Sequence, residues 1–242
     1  MKLGKSATFT LAVKELEEEI GFYEKLGYAL LGRTETTAAL TDGQIRLSLQ
    51  QGEFTTPMIT YFADDITPIV EGVERAGVEL VHKNELEGKI HEAGFADPNC
   101  QPVLLVTLET DELTAPEGKA RCGIFGEYSI PTENLTESIE FWSRLGFERV
   151  GGDDEKPYPW AILADGMLIL GLHQTPDFKI PFLTYFAKDM AERISSLKEA
   201  GIEFAEEKTN DKDEIVYALA VSPSGQRISL FYAEGFEDGT NV

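Results

Sequence analysis

Glu127 lies on the run Ile124 to Pro131 and shares its strand parity with Ser129. A carboxylate on the inner face of a strand can act as a general base or as the counter-ion of a cationic ligand. The alternative is an internal ion pair, because an unpaired buried carboxylate is costly. Arg227, two residues before Ser229 and on the same face of its run, has the parity to supply that partner. His173 is the one histidine with inward parity near Glu127, on a neighbouring run that starts at Met167. Its position four residues beyond Ile169 separates it from Glu127 by about 13 Å at the rise of a strand, so it reads as a rim residue and not as half of a Glu–His dyad. Trp160, preceded by Tyr158 in the run Glu155-Lys156-Pro157-Tyr158-Pro159-Trp160, is an aromatic candidate for a lid, with strand-edge packing as its other reading. Phe182 and Phe231 complete the inward set of the second half, and Arg46 is the charged candidate of the first half. The candidate ligand-binding residues are therefore Glu127, Ser129, Trp160, His173, Phe182, Arg227, Ser229, Phe231 and Arg46, with Glu127 the candidate catalytic group.

Other chemistries leave no trace. The sequence has no Ser–His–Asp arrangement, phosphate-binding glycine loop or nucleotide fingerprint. His82 and His91 sit among charged residues and read as surface positions. Cys100 and Cys122 have no CxxC spacing, so no disulfide framework follows and a reducing cytoplasm is the expected location. The formal net charge of −22 comes without any basic cluster, which argues against a nucleic-acid partner. No apolar run is long enough for a membrane span and no signal peptide is visible, so no membrane partner is expected. Hydrophobic content of 42% with 26% charged residues is that of a globular domain with a proper core.

The elements that must position these residues are repeated. Ile59 to Leu80 and Leu183 to Phe204 align without a gap, sharing Thr-Tyr-Phe-Ala, an Asp and Ala-Gly-x-Glu. Each reads as an alternating strand, an Asp near the helix start, about three helical turns, a glycine stop and a further strand. Thr8 to Tyr28 and Glu127 to Phe147 use the same grammar, so Gly27, Gly77, Gly146 and Gly201 are four copies of one helix stop. The strands after the second and fourth stops are expected near Val78 to Val81 and Ile202 to Ala205. Asp42-Gly43 and Asp165-Gly166 are matching hairpin signals. Asp97-Pro98-Asn99 and Ser222-Pro223-Ser224-Gly225 are matching turns before the last strand of each half. The chain is thus α+β, four βαβββ units in two tandem halves. Residues 1–108 form the first domain, 109–122 a linker that loses all periodicity, 123–232 the second domain, and 233–242 a frayed tail.

Tandem βαβββ units, helices ending in Leu-Gly-Phe or Leu-Gly-Tyr, an aromatic pair before that glycine and an xPxG turn resemble the vicinal oxygen chelate superfamily. The group includes glyoxalase I, extradiol dioxygenases, bleomycin-resistance proteins and methylmalonyl-CoA epimerases. The resemblance covers nearly the whole chain and implies two cupped, glyoxalase-like half-barrels. It also implies a divalent metal held by His, Glu or Gln on the first and last strands of paired units. At those places the first half offers Thr8, Arg46, Met58 and Leu104, and the second Glu127, Ile169, Phe182 and Ser229. Neither set, nor any exchange between the halves, supplies the ligands a divalent metal needs. The expectation is a member with no metal and no cofactor, binding a small organic ligand in the cup. In the bleomycin-resistance type that ligand is cationic. Two alternatives stay open: a metal-dependent lyase, isomerase or dioxygenase with displaced ligands, and a scaffold whose pocket is filled by side chains. The two halves stand in for two subunits, as a pseudo-symmetric monomer or within a homodimer.

Overall fold

The computed structural model describes residues 1–53, 56–108 and 120–236. Most of the expected linker (109–119) and the end of the expected tail (237–242) lie outside the described residues.

In the first half, β1 (Ser6–Val13), α1 (Leu16–Lys25), β2 (Ala29–Arg33), β3 (Thr37–Thr41) and β4 (Arg46–Gln51) make one βαβββ unit. β5 (Met58–Ala63), α2 (Thr67–Arg75), β6 (His82–Leu86), β7 (Lys89–Ala96) and β8 (Pro102–Thr107) make the next. The second half repeats the order with β9 (Ile124–Pro131), α3 (Leu135–Arg144), β10 (Glu148–Asp153), β11 (Trp160–Ala164) and β12 (Ile169–His173). It closes with β13 (Phe182–Ala187), α4 (Met190–Glu199), β14 (Phe204–Thr209), β15 (Ile215–Val221) and β16 (Arg227–Tyr232). Each half forms one eight-stranded sheet, in the orders β2-β3-β4-β1-β5-β8-β7-β6 and β10-β11-β12-β9-β13-β16-β15-β14. The strands expected directly after Gly77 and Gly201 start later than the sequence suggests, at His82 and Phe204. Val78 and Ile202 are buried and close the helix ends instead of pairing in a sheet.

The four helices of the described residues stop in the same way. Gly27, Gly77, Gly146 and Gly201 have φ between 77° and 100°, a region that costs an L-residue with a Cβ about 1–2 kcal/mol. The residue after each glycine donates its N–H to the carbonyl five positions earlier: Tyr28 to Tyr23, Val78 to Val73, Phe147 to Trp142, Ile202 to Leu197. That is the Schellman closure, which satisfies carbonyls the helix leaves open. At the helix starts the copies differ. Asn134 caps α3 by accepting from Glu137 N–H at 3.2 Å, whereas Glu15 and Asp189 give their helices no side-chain cap. The N-cap of α2 is Ile66, and Asp65 instead accepts from Thr67 N–H at 2.9 Å.

Packing divides the chain into two compact units, and the division runs through β1 after Thr10 and through β9 after Glu127. One unit holds β5–β8 with α2 and β10–β12 with α3; the other holds β2–β4 with α1 and β13–β16 with α4. Strand alternation builds each core. In the first unit Ile59, Tyr61, Val103, Leu105, Leu170 and Leu172 are buried beside Tyr128 and Trp142. In the second, Leu40, Leu47, Leu49, Leu183, Ile228 and Leu230 are buried with Tyr23, Tyr185, Ile194 and Leu197.

Both cores contain the two repeated motifs in contact. In the first unit Tyr61 Oη donates to Asp165 Oδ2, while Asp165 Oδ1 accepts the N–H groups of Met167 and Leu168. In the second, Tyr185 Oη donates to Asp42 Oδ2, while Asp42 Oδ1 accepts from Gln44 and Ile45. Tyr28 Oη joins this network at Tyr185 Oη. Burial raises the Asp42 carboxyl above its ordinary value, although bonds from Ile45, Tyr185 and Gln44 pull the other way.

Candidate functional site

The face of each sheet opposite its buried core face carries the candidate residues. In the first half, Thr8 lies directly opposite Thr60, and Thr60 opposite Leu104, so these three form one row across β1, β5 and β8. Met58 is opposite Thr10, one level away, and the Thr10 and Thr60 hydroxyls are hydrogen-bonded at 3.0 Å. The register therefore puts the Thr60 hydroxyl, and not the Met58 thioether, level with Thr8 and Leu104. Arg46, half-buried at the start of β4, is paired with Thr41.

In the second half, Thr184 is opposite Ser229, and Ser229 opposite Leu219. Thr184, Ser229 and Glu127 are buried, Glu127 at 5% exposure. Arg227 stacks its guanidinium over the ring of Phe182, 5.6 Å from the centroid. That cation–π contact, and not an ion pair with Glu127, is what the structure gives Arg227. Phe231 packs against Tyr217 at 4.7 Å and Phe186 at 5.8 Å, and Phe186 in turn meets Phe236 at 5.0 Å. Gly126 makes room for this cluster: a Cβ there would come within 2.2 Å of the Phe186 ring. The chain after β16 is tied down as far as it is described, with Ala233 N–H bonded to Ala187 O and Lys188 N–H to Phe236 O.

The β11–β12 hairpin of the first unit carries the remaining candidates. Trp160 and His173 are directly opposed cross-strand partners. Their rings are nearly parallel, 11° apart, with centroids at 6.5 Å. Tyr158 and Phe178 present edges to the imidazole at 5.8 and 5.7 Å, and Tyr158 Oη is hydrogen-bonded to His173 Nδ1 at 3.3 Å. Three aromatic rings thus surround one histidine. The run before Trp160 is held in place by two bonds, Trp160 Nε1 to Lys156 O and Gln174 N–H to Pro159 O. Register places His173 beside Pro131 and Gly171 beside Ser129. Such half-buried rings offer π faces to planar or cationic groups. Phe178 was not marked by the sequence, because it stands in the connection after β12, where no period assigns it a direction.

The metal that this fold type implies does not fit the residues present. The rows consist of hydroxyls, alkyl groups, a phenyl ring and a guanidinium, with Glu127 the one carboxylate among the mapped positions. Divalent metals take several imidazole, carboxylate or thiolate ligands. Among the described residues, no group of three or more His, Cys, Asp or Glu is placed to hold an ion. Likewise, no described helix is long and apolar enough to cross a membrane.

No protein-family model matches the chain. A stretch of 91 residues is 32% identical to glutathione transferase FosA of Serratia marcescens, covering 33% of this chain and 64% of that protein. The match therefore spans less than two thirds of that relative. Solved structures with the same fold cover far more. The 2,3-dioxygenase LapB of Pseudomonas sp. KL28 superposes with a TM-score of 0.66 at 14% identity, over 96% of this chain and 93% of its own. A catechol 2,3-dioxygenase gives 0.65 at 12% identity, over 100% and 92%. Homoprotocatechuate 2,3-dioxygenase of Arthrobacter globiformis gives 0.63 at 14% identity, over 100% and 84%. Among the described residues, sixteen strands in two matching eight-stranded sheets and four Schellman-closed helices, together with these superpositions, lead to one conclusion: the chain has the tandem two-domain fold of the vicinal oxygen chelate superfamily.

Proposed function

We propose that this protein binds a small organic ligand through the second half of its tandem fold and does so without the metal that the superfamily resemblance implies. The observation that supports this most is the ring cluster of Tyr158, Trp160 and Phe178 around His173. A half-buried set of rings beside a polar, ionisable group suits a ligand with a planar or cationic part. The net charge of −22 favours the cationic choice, as in bleomycin-resistance-type proteins. The protein works in this reading as a cytoplasmic, pseudo-symmetric chain, with Cys100 and Cys122 free thiols.

Titration of the full chain with quaternary ammonium and planar heteroaromatic compounds, followed by Trp fluorescence and calorimetry, tests the proposal. Saturable binding that weakens in Trp160→Ala supports it. Binding of no compound in either class would remove it. The second reading is a lyase, isomerase or dioxygenase with a displaced metal site, favoured by the superposition on three 2,3-dioxygenases. Elemental analysis of protein purified without tags or chelators separates the two, since stoichiometric metal would support the second.

A further inference from the structure

Behind the turn that leads into β16, α1 buries two polar side chains whose outer atoms have no partner among the described residues. Glu19 and Tyr23 are both fully buried, and neither Glu19 Oε1 nor Tyr23 Oη has a hydrogen bond. They stand one turn apart on α1, and residues at that spacing share a helix face. The other oxygen of Glu19, Oε2, accepts the Ser224 N–H at 3.0 Å, while Ser224 Oγ accepts the Lys14 N–H at 3.0 Å. The Tyr23 ring meets the edges of Tyr28 at 5.3 Å and Phe22 at 5.4 Å, so it is held in place.

The first unit shows what the same place looks like when protein atoms close it. Ser138 and Trp142 take the positions of Glu19 and Tyr23 on α3, and Asp97 and Asn99 take those of Ser222 and Ser224 in the turn. Trp142 Nε1 donates to Asp97 Oδ2 at 3.3 Å, and Asn99 Nδ2 donates to Ser138 Oγ at 2.9 Å. Thr132 and Ser138 are hydrogen-bonded at 2.7 Å. There the carboxylate sits on the turn; in the second unit it sits on the helix. The second unit also has the smaller turn residues, two serines against an aspartate and an asparagine.

We propose that the second unit holds one internal water at this place, accepting the Tyr23 Oη–H and donating to Glu19 Oε1. Water is the smallest species that is both acceptor and donor, and both are required. A bare cation would satisfy the carboxylate oxygen and leave the phenol proton without an acceptor. An anion would meet the carboxylate directly. Buried waters in proteins bridge such polar groups, and burying the two oxygens dry would cost the desolvation of both. The water therefore ties Tyr23 to Glu19, whose other oxygen already holds the Ser222–Gly225 turn through the Ser224 N–H.

A high-resolution crystal structure of the full chain tests this directly, with a parallel crystal soaked in a rubidium salt. The expected result is a solvent peak within hydrogen-bond distance of both Glu19 Oε1 and Tyr23 Oη, with no rubidium signal there. In Tyr23→Phe the folding equilibrium constant should fall about tenfold, the size of one lost buried hydrogen bond. A direct Tyr23–Glu19 hydrogen bond with no solvent between them would overturn the proposal, and so would a rubidium peak at the site. If Tyr23→Phe does not fold, the wild-type crystal alone decides.

Discussion

Tyr61 donates its hydroxyl to Asp165 at 2.8 Å, joining the Thr-Tyr-Phe-Ala strand of the first half to the Asp-Gly hairpin of the second. The reciprocal bond, Tyr185 to Asp42 at 2.7 Å, joins the same two motifs the other way round. Each aspartate spends one oxygen on closing its own turn and the other on the tyrosine, so a local motif and a long-range one share a side chain. Removing either hydroxyl leaves a carboxylate oxygen without its donor. Asp42 is buried and Asp165 half-buried, so water can replace the donor more readily at Asp165. Tyr185→Phe should therefore cost about 1–3 kcal/mol and Tyr61→Phe about 1 kcal/mol. Urea denaturation of both variants checks the order; equal losses near zero would mean that the bonds carry no net stability.

The same aspartate gives a pH dependence with a definite sign. Burial raises the Asp42 carboxyl above its ordinary value, so the native state keeps that proton to a higher pH than the unfolded chain does. Its favourable contribution is complete below the ordinary carboxylate value and is lost as pH rises through the raised native value. Asp97, raised chiefly by burial, acts in the same direction. Asp42→Asn removes the titration. The stability of the wild type relative to this variant should therefore increase on going from neutral pH to about pH 4. A difference that is flat, or that shrinks on acidification, would contradict the assignment.

Gly201 and Gly146 share a helix-stop conformation, with φ of 81° and 100°, but not their surroundings. An added Cβ at Gly201 would meet only the Lys25 ammonium, at 3.6 Å, and at Gly146 it would lie 2.0 Å from the Met1 carbonyl. Gly201→Ala should cost about 1–2 kcal/mol, the backbone penalty alone. Gly146→Ala should cost more, unless the first residues are displaced. Thermal denaturation of both, and of Gly146→Ala lacking the first residues, separates the two contributions.

Among the described residues, Asn134 is the N-cap whose side chain accepts a backbone N–H of its own helix, from Glu137. Asn134→Ala should lose about 1 kcal/mol, while Glu15→Ala at the equivalent cap of α1 should change stability little. Comparable losses at the two positions, measured by chemical denaturation, would refute this.

Arg46 and Glu127 are the two charged residues among the mapped positions, one in each half and opposite in sign, so the halves should differ in ligand preference. Glu127→Gln should reduce the thermal shift produced by organic cations, and Arg46→Gln that produced by carboxylates. Burial lowers the effective dielectric and strengthens both contacts, so losses of about tenfold in affinity are expected. Shifts indifferent to both substitutions would show that each charge serves its own half's structure.

The sequence alone determined the repeated architecture, because it rests on local rules. A glycine where a helix must turn left-handed, an Asp-Gly pair between alternating runs and strand parity are each legible within a few residues, and their recurrence set out four units. The sequence also named Trp160 and His173 as candidates for one pocket, and the structure makes them direct partners. What the tertiary structure decided was the choice of partner across distance. Nothing near Arg227 in the chain distinguishes the Phe182 ring from the Glu127 carboxylate, because both lie on strands of similar parity; packing settles it at 5.6 Å from the ring. Nor does spacing reveal that Tyr61 reaches Asp165, 104 residues away. The available signal was a polar residue kept inside a buried strand and repeated, with its acceptor, in both halves. Hydrogen-bond satisfaction in a closed core is a property of the assembled fold, and only the fold brings the two motifs together.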